Sequence, residues 1–299
     1  MALIQEPSNE EITRQSEIED NKKAVLEGNF RNRFNKWQLS ILIAFLEQFP
    51  ISMGMFSVSP QNLSDLKALI SSHYVKVAEQ FISGFQFENY DQTLSGQIYS
   101  LIENDIRNYI NTIGEFHVDR IVETTEKYGR LSYLFALKEF KSPAERISAF
   151  RTILKNKLLG RTKATSYTET TGISGFSKQV ALDKTTSAIP TAKVEDLKEL
   201  QKISPNLTFK KVDLKKVTDP EKLIEVKQAL YNPKKKWINM GDLAVRTSHL
   251  DKPIGVGNTI IPVKEPFVLD GGLAMFPGDQ SLGIALNEVI GCRCVVIYI

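Results

Sequence analysis

Residues Trp237–Ile299 read WINMGDLAVRTSHLDKPIGVGNTIIPVKEPFVLDGGLAMFPGDQSLGIALNEVIGCRCVVIYI, and this stretch decides the fold class. It differs in kind from everything before it. Asn258–Val268 has the pattern of strand, turn and strand around Pro262 and Pro266, and Gly271-Gly272 and Pro277-Gly278-Asp279 are turn signals. Ile284–Ile290 leads, as a short helix or irregular segment, into a closing strand from Cys292 to Ile299. Two-residue alternation puts Cys292, Cys294, Val296 and Tyr298 on one face of that strand and Arg293, Val295, Ile297 and Ile299 on the other. Both faces are largely apolar, so the strand is expected in the interior of a small sheet.

Upstream, the apolar residues recur at helical spacing. One pattern runs from Asn29 through Leu46. A second starts at Ser59-Pro60, where serine caps and proline fits the first turn, and carries Leu63, Leu66, Ile70, Tyr74, Val77 and Phe81 on one stripe. Further helices are predicted over Thr93–Phe116 and around Ile121–Phe135. Another starts at the capping box Ser142-Pro143-Ala144-Glu145 and runs to Gly160, and a last one covers Thr162–Leu182, weakened by its threonines and serines. The fold class is therefore α+β: a mainly α-helical N-terminal region followed by a small C-terminal α+β module with short strands. The expected divisions are an acidic mobile arm at 1–20, a helical region at 21–184, a Lys-rich insertion or linker at 185–236, and the module at 237–299.

Composition limits the function classes. With 299 residues, 42% apolar and 24% charged, the chain can bury a sizeable core, and its net charge of +3 does not announce a nucleic-acid binder. The acidic first twenty residues are the wrong charge for a secretory leader, and Leu39–Leu46 falls short of the roughly 18 apolar residues of a membrane span. A soluble protein without a membrane partner is expected. Two cysteines are not a disulfide framework, which points to a reducing compartment.

The chemistry-bearing residues admit several readings. Between Lys193 and Lys236 stand twelve lysines against seven acids. This is either a solvated insertion or a phosphate-facing patch, with Lys210, Lys211, Lys215, Lys216, Lys234, Lys235 and Lys236 as the candidate DNA contacts. Cys292 and Cys294 could join His249 on a zinc ion with Asp242 or Asp279 as a fourth ligand, because thiolate and imidazole are preferred zinc donors. They could equally be packed thiols, so no cofactor is the default expectation. His249, Asp251, Asp279 and Glu288 have acid–base side chains, although Asp242 and Arg246 can instead pair to hold turns. A thiol nucleophile assisted by His117 is a third reading.

In order, Trp237, Asp242, Val245-Arg246, Ser248-His249, Pro266-Phe267, Pro277-Gly278-Asp279 and Cys292-Arg293-Cys294 resemble the pattern of the Mu F-like head morphogenesis proteins of tailed double-stranded DNA bacteriophages. Upstream, Ile121–Thr125 and Arg161–Thr171 are similar to two further helical segments of that family. Gly291 stands where the family has asparagine, and Ser166-Tyr167 replaces alanine-arginine. The resemblance implies a minor capsid (minor head) protein, a structural part of the virion. It implies work in viral assembly and DNA packaging or delivery at the portal vertex or head interior, after assembly in the host cytoplasm. The implied partners are the portal protein or major capsid protein, and packaged double-stranded DNA. The competing reading is a metal-dependent hydrolase or ADP-ribosyl-transferring effector centred on Arg246, His249 and Glu288.

Overall fold

The computed structural model describes all residues except 1–3, 6, 88–89, 204–210, 218, 232 and 241–245, and at 4–5, 201–202, 211–212, 214 and 231 the backbone alone. The chain is α+β, with long helices first and short antiparallel strands at the C-terminal end. The helices are α1 (Asn9–Gln48), α2 (Pro60–Phe81), α3 (Leu94–Tyr109), α4 (Glu115–Glu139), α5 (Pro143–Ala188), α6 (Val194–Ile203), α7 (Pro220–Tyr231) and α8 (Leu286–Val289). A π-helical turn, Ile110–Gly114, leads from α3 into α4. No helix among the described residues is long and apolar enough to cross a membrane.

Several starts follow their caps. Asn62 N–H donates to Ser59 Oγ ahead of α2, and Lys222 N–H to Asp219 Oδ1 ahead of α7. Before α5, Ser142 N–H donates to Glu145 Oε2 while Glu145 N–H returns to Ser142 Oγ, the expected capping box. These bonds to Ser142 hold the Glu145 carboxyl below its usual range. The same reciprocal pair opens α1: Ser8 N–H to Glu11 Oε2 at 2.9 Å and Glu11 N–H to Ser8 Oγ at 3.1 Å.

Two expectations are corrected here. Residues 9–20 are not an unstructured arm but the first turns of α1. Their buried stripe is Ile12, Ser16, Glu19 and Lys23, at helical spacing but mostly polar, which hides it from a hydrophobicity pattern. Nor does a helix end at Gly160. α5 continues through it, with nothing near the glycine to force a stop.

The chain divides into two compact units, each built from separate stretches. One comprises Glu27–His73 and Asn108–Ser166, all helix and loop. Its core is aromatic: Phe56 stacks on Phe150 with centroids 5.1 Å apart, and Tyr133 meets Phe49 and Phe56 edge-on. The other comprises Met1–Leu26, Tyr74–Arg107 and Tyr167–Ile299, so the C-terminal module is not an independent 63-residue tail but shares a unit with α3 and parts of α1, α2 and α5.

In this second unit, β1 (Ile4–Gln5) pairs with β2 (Lys211–Val212). β3 (Lys234–Ile238) is the centre of a three-stranded antiparallel sheet between β4 (Ile260–Pro262) and β7 (Val295–Tyr298), and β5 (Phe267–Leu269) forms a hairpin with β6 (Gly272–Ala274). β7 is buried throughout yet is an edge strand, not the interior strand expected. Helix side chains replace the missing neighbour. Thr171 Oγ1 donates to the Cys292 carbonyl (2.8 Å), Lys23 Nζ to Cys294 (2.7 Å) and Lys178 Nζ to Val296 (2.6 Å). These are alternate residues, as the two-residue period of an outward edge demands.

The Lys178 ammonium also meets Glu19 Oε2 at 2.5 Å and lies 5.8 Å from the Phe81 and Tyr298 ring centroids. Removing one member of a buried ion pair strands the other, a cost of about 3–5 kcal/mol. Glu19→Gln is accordingly expected to lower the urea unfolding free energy by roughly 3 kcal/mol. A change within experimental error would show that the pair does not hold β7.

Candidate metal centre

Three side chains from two segments converge beside β7. The 3-10 turn Thr247–His249 presents His249, and the extended approach to β7 presents Cys292 and Cys294 on the same side, as the alternation predicts. His249 Nδ1 lies 3.6 Å from each sulfur, the three donor atoms fall within 4.8 Å of one another, and all three residues are buried. This set could hold a metal ion.

Each member is positioned from behind. Trp237 packs edge-on against His249 (5.2 Å between centroids) and against Phe267 (5.1 Å), and is itself 1% exposed. On the far side of the imidazole, Nε2 is 3.1 Å from Glu288 Oε2, close in charge but not aligned as a hydrogen bond. That same oxygen accepts the Ser248 hydroxyl at 2.6 Å. A carboxylate behind a histidine is the arrangement that orients a metal-ligating imidazole. The cysteine backbones are held by the Thr171 and Lys23 bonds described above, and Gly291 N–H donates to Thr168 Oγ1.

The two thiols titrate as one system. A hydrogen bond from Cys294, assisted by His249, holds Cys292 well below the ordinary thiol range. Cys294 is pushed well above that range by its bond to Cys292, by burial and by the neighbouring charge, against smaller opposing effects of Trp237 and Lys23. One negative charge is favoured in the pair and a second is opposed; a cation would change that balance.

The other motif residues shape the surroundings. Arg293 donates to both carboxylate oxygens of Asp20 (2.9 and 3.0 Å) and lies over Tyr167. Arg246 donates to the Ile290 carbonyl. Pro277 is buried, and Gly278 has φ +80 and stands so close to α5 that a Cβ would meet Gly172 N at 2.9 Å, so both conformation and space require glycine. Asp279 is a turn-holder rather than a fourth ligand: Oδ2 accepts Met275 N–H, and Oδ1 accepts the amide and hydroxyl of Ser281. Asp242, the other candidate fourth ligand and expected partner of Arg246, lies outside the described residues.

The acid–base candidates are dispersed in role. His249 and Glu288 do come together, but both are buried and engaged with one another, and Asp251 sits exposed in a separate turn. A cavity of about 440 Å³ lies nearby, lined by Ser248, Lys252, Val256, Thr259 and Phe267 among others but by none of these three side chains. The histidine beside the thiols is His249, not His117.

The lysine patch breaks up. Lys215, Lys216 and Lys234 are exposed, Lys216 pairing with Asp213; Lys236 is half-buried; the Lys210 backbone and the Lys211 side chain are outside the described set. Lys235 cannot face a phosphate. It is wholly buried on β3, where Nζ donates to the Met275 carbonyl at 2.8 Å over the Phe267 ring. Sequence reasoning found the thiols and His249 but missed Glu288 and Ser248 as their support, and Lys23, Lys178 and Thr171 altogether. The segment Arg161–Thr171, which carries part of the resemblance, was the available signal for the last of these.

Comparison of the chain with protein-family models, curated proteins and solved structures returns no match.

Burial lowers the Lys235 pKa to about 8, with Asp183, Asp279 and Glu265 opposing the shift. Between about pH 8 and 10 the unfolded chain keeps a proton that the native state releases, so this residue makes stability rise with pH in that window. Below about pH 7 both states hold the proton and its pH effect vanishes. Urea midpoints of wild type against Lys235→Met should therefore run parallel below neutrality and shift in favour of wild type in alkali. The thiols and Tyr298 are common to both proteins and cancel; parallel curves throughout would contradict the shifted lysine.

Proposed function

We propose that this chain is an architectural protein of the kind it resembles, a minor head protein of a tailed double-stranded DNA bacteriophage. Its C-terminal module would be closed by a structural zinc ion. The observation that carries this reading is the convergence of residues far apart in sequence, Trp237, His249, Cys292 and Cys294, into one buried cluster. The described residues of the motif pattern support one another or the packing beneath them, as expected of a scaffold rather than of a cleft that must admit substrate.

Zinc suits the donors. Ligand distances of about 2.3 Å to sulfur and 2.0–2.1 Å to nitrogen in a tetrahedron separate nitrogen from sulfur by about 3.6 Å. The structure holds His249 Nδ1 at 3.6 Å from both sulfurs. When bound, the ion would supply a charge that allows both thiols to ionise, and Glu288 would fix the outward nitrogen of the imidazole. The alternative of acid–base chemistry by Arg246, His249 and Glu288 has less support, because the histidine and carboxylate are enclosed and the arginine is bonded to a backbone carbonyl.

Two measurements test the two parts. Protein purified without chelator should carry about one zinc per chain, and Cys292→Ser, Cys294→Ser or His249→Ala should each lose it and lower the melting temperature by several degrees. Metal-free wild type with an unchanged melting temperature would contradict the zinc. Co-purification with a portal protein, or mass-spectrometric detection in mature heads or procapsids, is expected for the head protein, and absence from all three contradicts that role.

A further inference from the structure

Residues 146–168 of α5 contain six Lys or Arg (Arg146, Arg151, Lys155, Lys157, Arg161 and Lys163) and no Asp or Glu. The whole chain carries only +3, so the remainder of the protein is net negative. The inward side of this half of α5 is the buried stripe Phe150, Leu154, Leu158 and Thr162. The side turned away from it carries Ser148, Thr152, Asn156 and Gly160, all exposed. Successive residues of a helix are rotated by about 100°. Arg151 and Lys155 therefore flank that outer ridge on one side, and Lys157 and Arg161 flank it on the other. Lys157 and Arg161 both lie over the Tyr128 ring of α4, 5.6 and 5.7 Å from its centroid, which holds them along their flank.

The fold itself gives these charges little to do. Lys67 has Glu115, Arg107 has Glu103, Lys184 has Asp105 and Lys222 has Asp219. Among the described residues, Arg151, Lys155, Lys157 and Arg161 have no carboxylate partner. Within the helix each flank is a like-charge pair four residues apart, which opposes helix formation instead of supporting it. The carboxylates of α5 on either side are committed elsewhere. Glu145 is held in the capping box, and Glu169 is buried and accepts the Tyr74 hydroxyl. Cations that repel one another along two flanks of one helix are accounted for by an external polyanion.

From this we infer that the outer face of α5, between Ser148 and Arg161, is a docking surface for double-stranded DNA. Its two cationic flanks meet backbone phosphates, contacts that give affinity without reading sequence. A lipid surface fits less well, because none of the exposed residues among 148–163 is a large apolar side chain that could sink into it. The same lack of an apolar anchor weighs against an acidic protein partner. A single strand would need open aromatic faces for its bases, and the Tyr128 ring already carries two cations. Duplex DNA is favoured over duplex RNA by shape. The major groove of B-DNA admits an α-helix whose leading edge is no bulkier than asparagine, whereas that of A-form RNA is too deep and narrow. The inference stands on charge and helix geometry, and holds whether or not the chain binds zinc or joins a phage head.

The test uses the full chain and a labelled mixed-sequence DNA duplex of roughly 24 base pairs in fluorescence anisotropy. Saturable binding is expected at low salt, with a log–log slope against salt of about −3 to −4 for four phosphate contacts. Arg151→Gln/Lys155→Gln should lose about tenfold or more in affinity and flatten the slope by about 2, with an unchanged urea midpoint. Lys157→Gln/Arg161→Gln, on the other flank, should do the same. Lys215→Gln/Lys234→Gln removes the same charge from exposed lysines elsewhere and should keep the wild-type affinity and slope. No saturable binding, or equal losses in the α5 variants and this control, overturns the proposal. So does equal affinity for duplex RNA or single-stranded DNA of the same sequence. Binding to vesicles of roughly 30% phosphatidylserine that is lost in the α5 variants overturns it as well.

Discussion

A row of three backbone carbonyls, those of Cys292, Cys294 and Val296, faces away from the sheet at the edge of the last strand. Buried carbonyls need donors, and each one left bare costs about 1–3 kcal/mol. Among the described residues no strand is there to supply N–H groups, and the donors are Thr171, Lys23 and Lys178, reaching from two helices. The final residues are thereby tied to the start of α1 and to the buried part of α5. Arg293 with Asp20 adds a second tie between the same segment and α1.

That constraint explains where the thiols sit. Carbonyls bonded outward at positions 292, 294 and 296 set the register of the strand, and a one-residue slip would turn every side chain to the opposite face. With the register held, Cys292 and Cys294 share one side and meet His249, which Trp237, Glu288 and Ser248 orient. The cluster is a consequence of the edge being capped. The buried lysines also carry a desolvation penalty, offset where the ammonium has a carboxylate, a carbonyl and ring faces around it, as Lys178 does. Lys235, with a single backbone acceptor over an aromatic ring, is offset less and its pKa falls.

The helical body and the C-terminal change to short strands were legible because apolar spacing and turn residues declare themselves in order along the chain. Ser59 and Ser142 start helices as their side chains predict. The first turns of α1 were illegible for a physical reason: their inner stripe is Ser16, Glu19 and Lys23, polar groups of which the two charged ones find partners more than a hundred residues away. The same holds for the middle of α5, where Thr171 and Lys178 look like solvated residues until β7 is placed beside them. The pairing of Cys292 with Cys294 could be read from alternation alone, and His249 was a fair third choice. Glu288 as the support of that histidine could not be, since no spacing rule links the two. Lys235 shows the opposite failure, a member of a three-lysine run whose strand alternation sends the middle one inward.

The terminal strand and the two cysteines that precede it are enclosed structural core. Thiol titration with a chromogenic aromatic disulfide tests it most directly. Neither Cys292 nor Cys294 should react in the native protein, and both should react once guanidinium unfolds it. Rapid labelling of either thiol under native conditions would contradict it.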